Sequence, residues 1–179
     1  MNPTLYRRLI SSLMHLIHSR PDICYAVSIL SQFMIDPKHR HWVAGKNILR
    51  YLCGTIAYGL RYASNGEFLL PGYTNLDWGG NIVDQKSTSG YCFGLGSSMI
   101  SWSSRKQGPI SHSTTDVEYI AASTACREAV WLRKILGGLF SVNLEPTVIR
   151  CDNQSCIKLF ENPVFHDKSK HIEMKYHVI

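Results

Sequence analysis

The chain has 179 residues, 45% of them apolar, and a formal net charge of +6. That length suits one domain with a small appendage, and that apolar content excludes a generally disordered protein. The basic balance favours a polyanionic partner such as nucleic acid, but no lysine-rich tail or long like-charge block is present, so a basic surface has to be assembled by folding.

Six cysteines are present, none in a C-x-x-C pair, and most sit inside apolar runs where cysteine acts as a small hydrophobe. The sequence shows no secretory signal, and no apolar run approaches the ~18 residues needed to span a membrane. The expected setting is therefore intracellular, cytoplasmic or nuclear, with reduced thiols and no membrane partner.

Residues 4–53 read as three helices. Leu5, Leu9, Leu13, Leu16 and Ile17 follow helical spacing; Pro21 restarts the chain for a second stripe of Ile23, Ala26, Val27, Leu30 and Met34; Asp36-Pro37 breaks it. Trp42, Gly45, Ile48, Leu49 and Leu52 make the third stripe. After Gly54 the pattern changes to strands. Tyr58–Ala63 reads as a strand, Ser64-Asn65-Gly66 as a hairpin turn, and Glu67–Asn75 as the return strand. Ser89–Ile100 reads as another hairpin arm, and Ser101–Lys106 extends this antiparallel meander. Thr115 and Glu118 fit a capping box opening a long helix, with Val117, Ile120, Ala121, Thr124, Trp131, Leu132, Ile135 and Leu136 as its buried stripe and Gly137-Gly138 as its end. A short strand at Thr147–Asp152, a short helix at Asn153–Glu161 and a helix from Lys168 complete the order. The sum is an α/β fold, a mixed sheet with packed helices, preceded by a small helical segment. The expected division is residues 1–56 and 57–179.

Three places share a geometric logic. Asn75 and Asp77, in "LPGYTNLDWGG", lie where a strand gives out, and alternation puts both on one face. Glu118 borders the buried stripe of the long helix and can face the sheet. Asp152 ends an apolar strand, the kind of position where open sheets place ligands. Each also has an ordinary structural use, as turn residue, cap glutamate and N-cap. Converging carboxylates repel unless a cation sits between them, and oxygen-only ligands suit Mg²⁺ or Mn²⁺. Two such ions ~3.5–4 Å apart can activate a water and stabilise the leaving oxygen in phosphodiester cleavage.

The motifs "GYTNLDWGG", "KSTSGYCFGLG", "ISWSSRKQ", "STTDVEYIAAS", "AVWLRKIL", "IRCDNQSCIKL" and "NPVFHDKSKHIEMKYH" run in order from Leu70 to Ile179. In that order and near that spacing they resemble the ribonuclease H domain of copia-type retrotransposon Pol polyproteins, particularly those of plants. "YRRLISSLMHLIHSRPDICYAVSILSQFM" and "HWVAGKNILRYLCGT" resemble the segment connecting the reverse transcriptase to that domain. The resemblance implies a ribonuclease H-like fold, hydrolysis of RNA in RNA–DNA hybrids with Mg²⁺ or Mn²⁺, and the reverse transcriptase domain as a neighbour. It assigns the second and third metal ligands to Glu118 and Asp152. At the first ligand position, where the family has aspartate, this chain has Asn75. A neutral amide supplies no charge to bridge two cations, so Asp77 becomes the candidate third anionic ligand. The family's fourth carboxylate falls beyond "KHIEMKYH", and no Tyr-x-Asp-Asp motif is present. The expectation is a C-terminally truncated, degenerate ribonuclease H-like domain with little hydrolytic activity. The alternative is a non-catalytic remnant that binds nucleic acid or protein.

The histidines, including His39, His41, His166, His171 and His177, show no zinc spacing. Trp102, Arg105 and Lys106 combine an aromatic with two cations on one expected strand, a combination that can track a nucleic-acid backbone or simply protect a sheet edge.

Overall fold

The computed structural model describes residues 2–63, 69–77, 87–107, 114–152, 154 and 157, with the side chains at 76, 77 and 114–116 outside that description. The hairpin turn at Ser64-Asn65-Gly66, most of the helix expected at Asn153–Glu161, the helix from Lys168, and His166, His171 and His177 lie outside the described residues. The chain divides into two compact units, Met1–Arg61 and Tyr62–Ile179. Among the described residues there are four helices and a four-stranded mixed sheet. None of the helices is long and apolar enough to cross a membrane.

The first unit holds α1 (Pro3–Leu16), a 3-10 turn at Pro21–Ile23, α2 (Cys24–Ser31) and α3 (His39–Gly54). Asn2 caps α1, its side-chain oxygen accepting from the Thr4 and Leu5 amides. The core is Tyr6, Ile10, Leu13, Ile23, Val27, Leu30 and Ile48. The inward face of α1 is thus turned from the expected stripe: Leu5 is exposed and Tyr6 buried. The reason is polar as well as apolar, because the Tyr6 hydroxyl donates to the Leu30 carbonyl at 2.8 Å inside the core. Gly45 lets α3 approach α1 closely, since a Cβ there would meet Leu9 Cδ2 at 2.9 Å. Leu49, expected inside, is exposed.

Arg20 ties the ends of these helices together. Its guanidinium grips Asp22 with two hydrogen bonds, Nε to Oδ1 at 3.0 Å and Nη2 to Oδ2 at 2.7 Å, and donates to the Thr55 carbonyl and hydroxyl. The Tyr51 hydroxyl donates to the same Asp22 carboxylate at 2.9 Å. The Arg20 hydrogen bonds hold the Asp22 carboxyl below its ordinary value of 3.8, against the opposing effect of burial. A depressed carboxyl contributes stability that is present above the ordinary value and lost as pH falls through the folded one. Asp22→Asn should therefore lower the urea midpoint of this unit at neutral pH, and the gap from the parent should close well below pH 3.8. A gap that stays constant across an acid titration followed by circular dichroism would refute this role.

In the second unit the sheet order is β3-β2-β1-β4, with β1 Gly72–Asp77, β2 Thr88–Leu95, β3 Ser98–Lys106 and β4 Ile149–Arg150. β1 pairs antiparallel with β2 and parallel with β4. The long helix α4 (Thr114–Phe140) covers one face, where Phe93 meets Ala125, Ala129, Leu132 and Leu136. The small residues Ala121, Ala122, Ala125 and Ala129 are all buried and keep the helix close to the sheet.

Several expectations are corrected here. Residues 58–63 form no strand, and β1 starts only at Gly72. The hairpin turns at Gly96-Ser97, where Gly96 takes a positive φ of 57°, so the arm expected to run to Ile100 is two strands. α4 passes through Gly137-Gly138 to Phe140, and Ser141 takes the left-handed conformation at its end. Gly137 serves a close approach instead: a Cβ there would sit 3.3 Å from the Val142 carbonyl oxygen of the returning chain. Trp131 and Ile135 are exposed, because the inward face follows the alanines.

Gly72 is the tightest point of the sheet. A Cβ there would lie 2.5 Å from Phe93 Cε1 and 3.2 Å from Ile149 Cγ1, and Phe93 is fully buried. Gly72→Ala is expected to cost about 1–3 kcal/mol, the usual cost of overpacking, and to loosen β4 from β1. Equilibrium denaturation measures the first effect and amide exchange at Ile149 and Arg150 the second.

Candidate functional site

The site is built where β4 ends beside β1. Their ladder pairs Gly72 with Ile149 and Tyr73 with Arg150. β4 ends at Arg150, while β1 runs on through Asn75 to Asp77, and Cys151 and Asp152 follow directly after β4. Alternation fixes the faces. Gly72 opposes the core residue Phe93, so it and buried Thr74 are on the α4 side, while exposed Tyr73 and Asn75 are on the other. Arg150 lies over the Tyr73 ring at 5.4 Å, which places it on that second face as well. Cys151 then falls on the α4 side, and Asp152 bends round the strand end.

Glu118 comes from the N-terminal part of α4 and is 7% exposed. The helix begins at Thr114, one residue before the expected cap, and the Glu118 carboxylate meets β4: the Cys151 thiol donates to its Oε2 at 3.9 Å. One oxygen of Glu118, one of Asp152 and Cys151 Sγ lie within 4.8 Å of one another. Burial first, and then the nearby Asp152 charge, push the Glu118 carboxyl above its ordinary value of 4.5, while the thiol contact pulls it the other way. No lysine or arginine among the described residues forms an ion pair with it.

The structure thus brings Glu118 and Asp152 together, while the alternation of β1 sets Asn75 on the sheet face away from α4. Asp77 closes β1 opposite Thr88, and its side chain lies outside the described residues. The donor chemistry fits a divalent cation: two acidic side chains at this separation are relieved either by a shared proton or by a shared ion. Cys151 was missed in the sequence, although its place beside Asp152 and the alternation of β4 were enough to set it on the helix side.

Trp102, Arg105 and Lys106 all lie on β3, the outer strand of the described sheet. Ser101 and Arg105 share the α4 face, since Ser101 opposes Phe93 and donates to Glu128 of α4 at 2.7 Å. Trp102 and Lys106 share the opposite face. One strand face therefore does not present all three.

Fold and site together define a mixed α/β protein with an acidic cluster at the end of a parallel strand pair. No family model and no solved structure matches the chain. It is 42% identical over 178 residues to the retrovirus-related Pol polyprotein from transposon RE2 of Arabidopsis thaliana, covering 99% of this chain and 12% of that protein. It is 40% identical over 175 residues to the corresponding polyprotein from transposon TNT 1-94 of Nicotiana tabacum, covering 97% of this chain and 13% of that protein. A secreted RxLR effector protein 161 of Plasmopara viticola is 44% identical over 128 residues, 71% of this chain and 90% of that protein. The chain belongs to this family of copia-type retrotransposon Pol polyprotein homologues, and it spans about an eighth of the length of the polyproteins.

Proposed function

We propose that residues 62–179 are the ribonuclease H-like unit of a copia-type Pol polyprotein, built to hydrolyse RNA in RNA–DNA hybrids and disabled at Asn75. The observation that carries this reading is the meeting of Glu118 and Asp152 within 4.8 Å at the end of β4, the strand that pairs in parallel with β1. Mg²⁺ or Mn²⁺ would be held by Glu118 and Asp152, with Asp77 as the nearest further carboxylate along β1. The ions would supply an activated water and a clamp on the leaving oxygen. The Asn75 amide offers a neutral oxygen in place of the bridging charge. The first unit is read as the connection following the reverse transcriptase. Exposed Ile35, Ile56 and Tyr58 suit burial against that domain.

A non-catalytic nucleic-acid-binding remnant is the second reading, favoured by Trp102 and Lys106 on one sheet face and by the basic net charge. Incubating the chain with an end-labelled RNA–DNA hybrid and Mg²⁺ or Mn²⁺ separates the readings from an active nuclease. The hybrid should stay intact; robust cleavage would overturn the disabled site. A hybrid-selective gel shift lost on replacing Trp102 and Lys106 would favour the second reading.

A further inference from the structure

We propose that the outer face of α4 is a docking surface for an acidic amphipathic helix of a partner protein. The inference goes beyond the ribonuclease reading and stands or falls without it. Arg127, Val130, Trp131, Lys134, Ile135 and Leu139 are all exposed, and they recur at the three- and four-residue spacing of one helix face. The opposite face is the one that meets the sheet, through Ala125, Ala129, Leu132 and Leu136. A surface helix ordinarily turns polar side chains outward. Here alanines pack inward while Val130 is 53% exposed, Trp131 54% and Leu139 71%, so large apolar side chains stand in solvent along the same helix. From Arg127 to Leu139 the stripe runs for about 18 Å, the length of a three-turn helix laid alongside it.

The charges say what kind of helix fits. Both ionised side chains on this face, Arg127 and Lys134, are cations that border the apolar stripe. Glu128, beside Arg127 in sequence, turns instead to the sheet, where it accepts from the Ser101 hydroxyl at 2.7 Å. A second copy of the chain is a poor occupant. Paired antiparallel about Val130 and Trp131, Arg127 of one copy comes opposite Lys134 of the other, and parallel pairing sets each cation against its own kind. Like charges facing across an interface reject a partner, and opposite charges select one. A helix with an apolar stripe flanked by glutamates or aspartates satisfies both features at once. Trp131 is then the anchor, being a large rigid side chain at the middle of the stripe with a charge on either side. Glu118 meets β4 on the sheet side of α4, so docking on the outer face leaves the acidic cluster untouched.

The test is fluorescence anisotropy of the full chain with two labelled helical peptides of about 16 residues. One carries leucines at helical spacing flanked by glutamates; the other has lysines in place of the glutamates. The acidic peptide should bind at least tenfold more tightly than the basic one, and the difference should shrink as salt is raised. Trp131→Ala, and separately Val130→Ser, should each weaken the acidic peptide about tenfold or more with an unchanged circular dichroism spectrum, because both side chains are exposed. Arg127→Glu combined with Lys134→Glu should invert the preference in favour of the basic peptide. Equal binding of the two peptides, no binding of the acidic one, or binding that survives both Trp131→Ala and Val130→Ser would overturn the proposal. So would a dimer in sedimentation that Trp131→Ala dissolves, which would give the face to a second copy. Co-sedimentation with vesicles of anionic lipid that Trp131→Ala abolishes would give it to a membrane surface and overturn the proposal equally.

Discussion

Asn75→Asp is expected to tighten Mn²⁺ binding by about tenfold or more, the scale of restoring a charged ligand at a metal site. The physical reason is the charge at the strand end. Glu118 is buried close to Asp152, and on the proposed reading Asn75 of β1 stands where the first carboxylate ligand would be. An added carboxylate there increases the repulsion in the empty site and so increases what a cation relieves. Mn²⁺ is the better probe because it tolerates imperfect geometry. Isothermal titration of parent and variant reads the effect. Equal affinity in the two would assign ligation to Asp77 in place of position 75.

Glu118→Gln is expected to stabilise the metal-free protein at neutral pH by on the order of 1 kcal/mol, the low end of the cost of a poorly satisfied buried polar group. The sign follows from the raised carboxyl. A glutamate whose folded value lies above 4.5 binds its proton more tightly in the native state, so native stability falls as pH rises through the window above 4.5. The parent should lose stability over that window and the glutamine variant should not; below pH 4.5 the two should converge. Saturating divalent cation should reverse the order at neutral pH, because only the parent gains the linkage stabilisation of a bound ion. A variant less stable than the parent at neutral pH without metal would show that the Glu118 charge is compensated.

Much of the architecture was legible because it rests on local signals. Pro21 and Asp36-Pro37 punctuate the first three helices, and the apolar stripe of Ile23, Val27 and Leu30 is the one that is buried. Where the reading failed, tertiary contacts outweighed local preference. Tyr6 displaced Leu5 from the core through its bond to the Leu30 carbonyl, a partner 24 residues away. Gly137-Gly138 look like a helix end but lie inside α4, where Gly137 admits the Val142 carbonyl. Trp131 and Ile135 match a helical stripe by type, yet α4 packs through its alanines, whose small size carries no strong periodic signal. The meeting of Glu118 and Asp152 was legible from strand-end logic. The nearness of Cys151 was hidden by the habit of treating a cysteine in an apolar run as core.

Cleavage of an end-labelled RNA–DNA hybrid in Mn²⁺ by three proteins tests the central claim most directly: the parent, Asn75→Asp, and Asn75→Asp combined with Glu118→Gln. The account predicts an intact hybrid with the parent, a weak Mn²⁺-dependent cut confined to the RNA strand with Asn75→Asp, and loss of that cut when Glu118 is also replaced. Robust cleavage by the parent, or a cut by Asn75→Asp that survives the Glu118→Gln change, would contradict it.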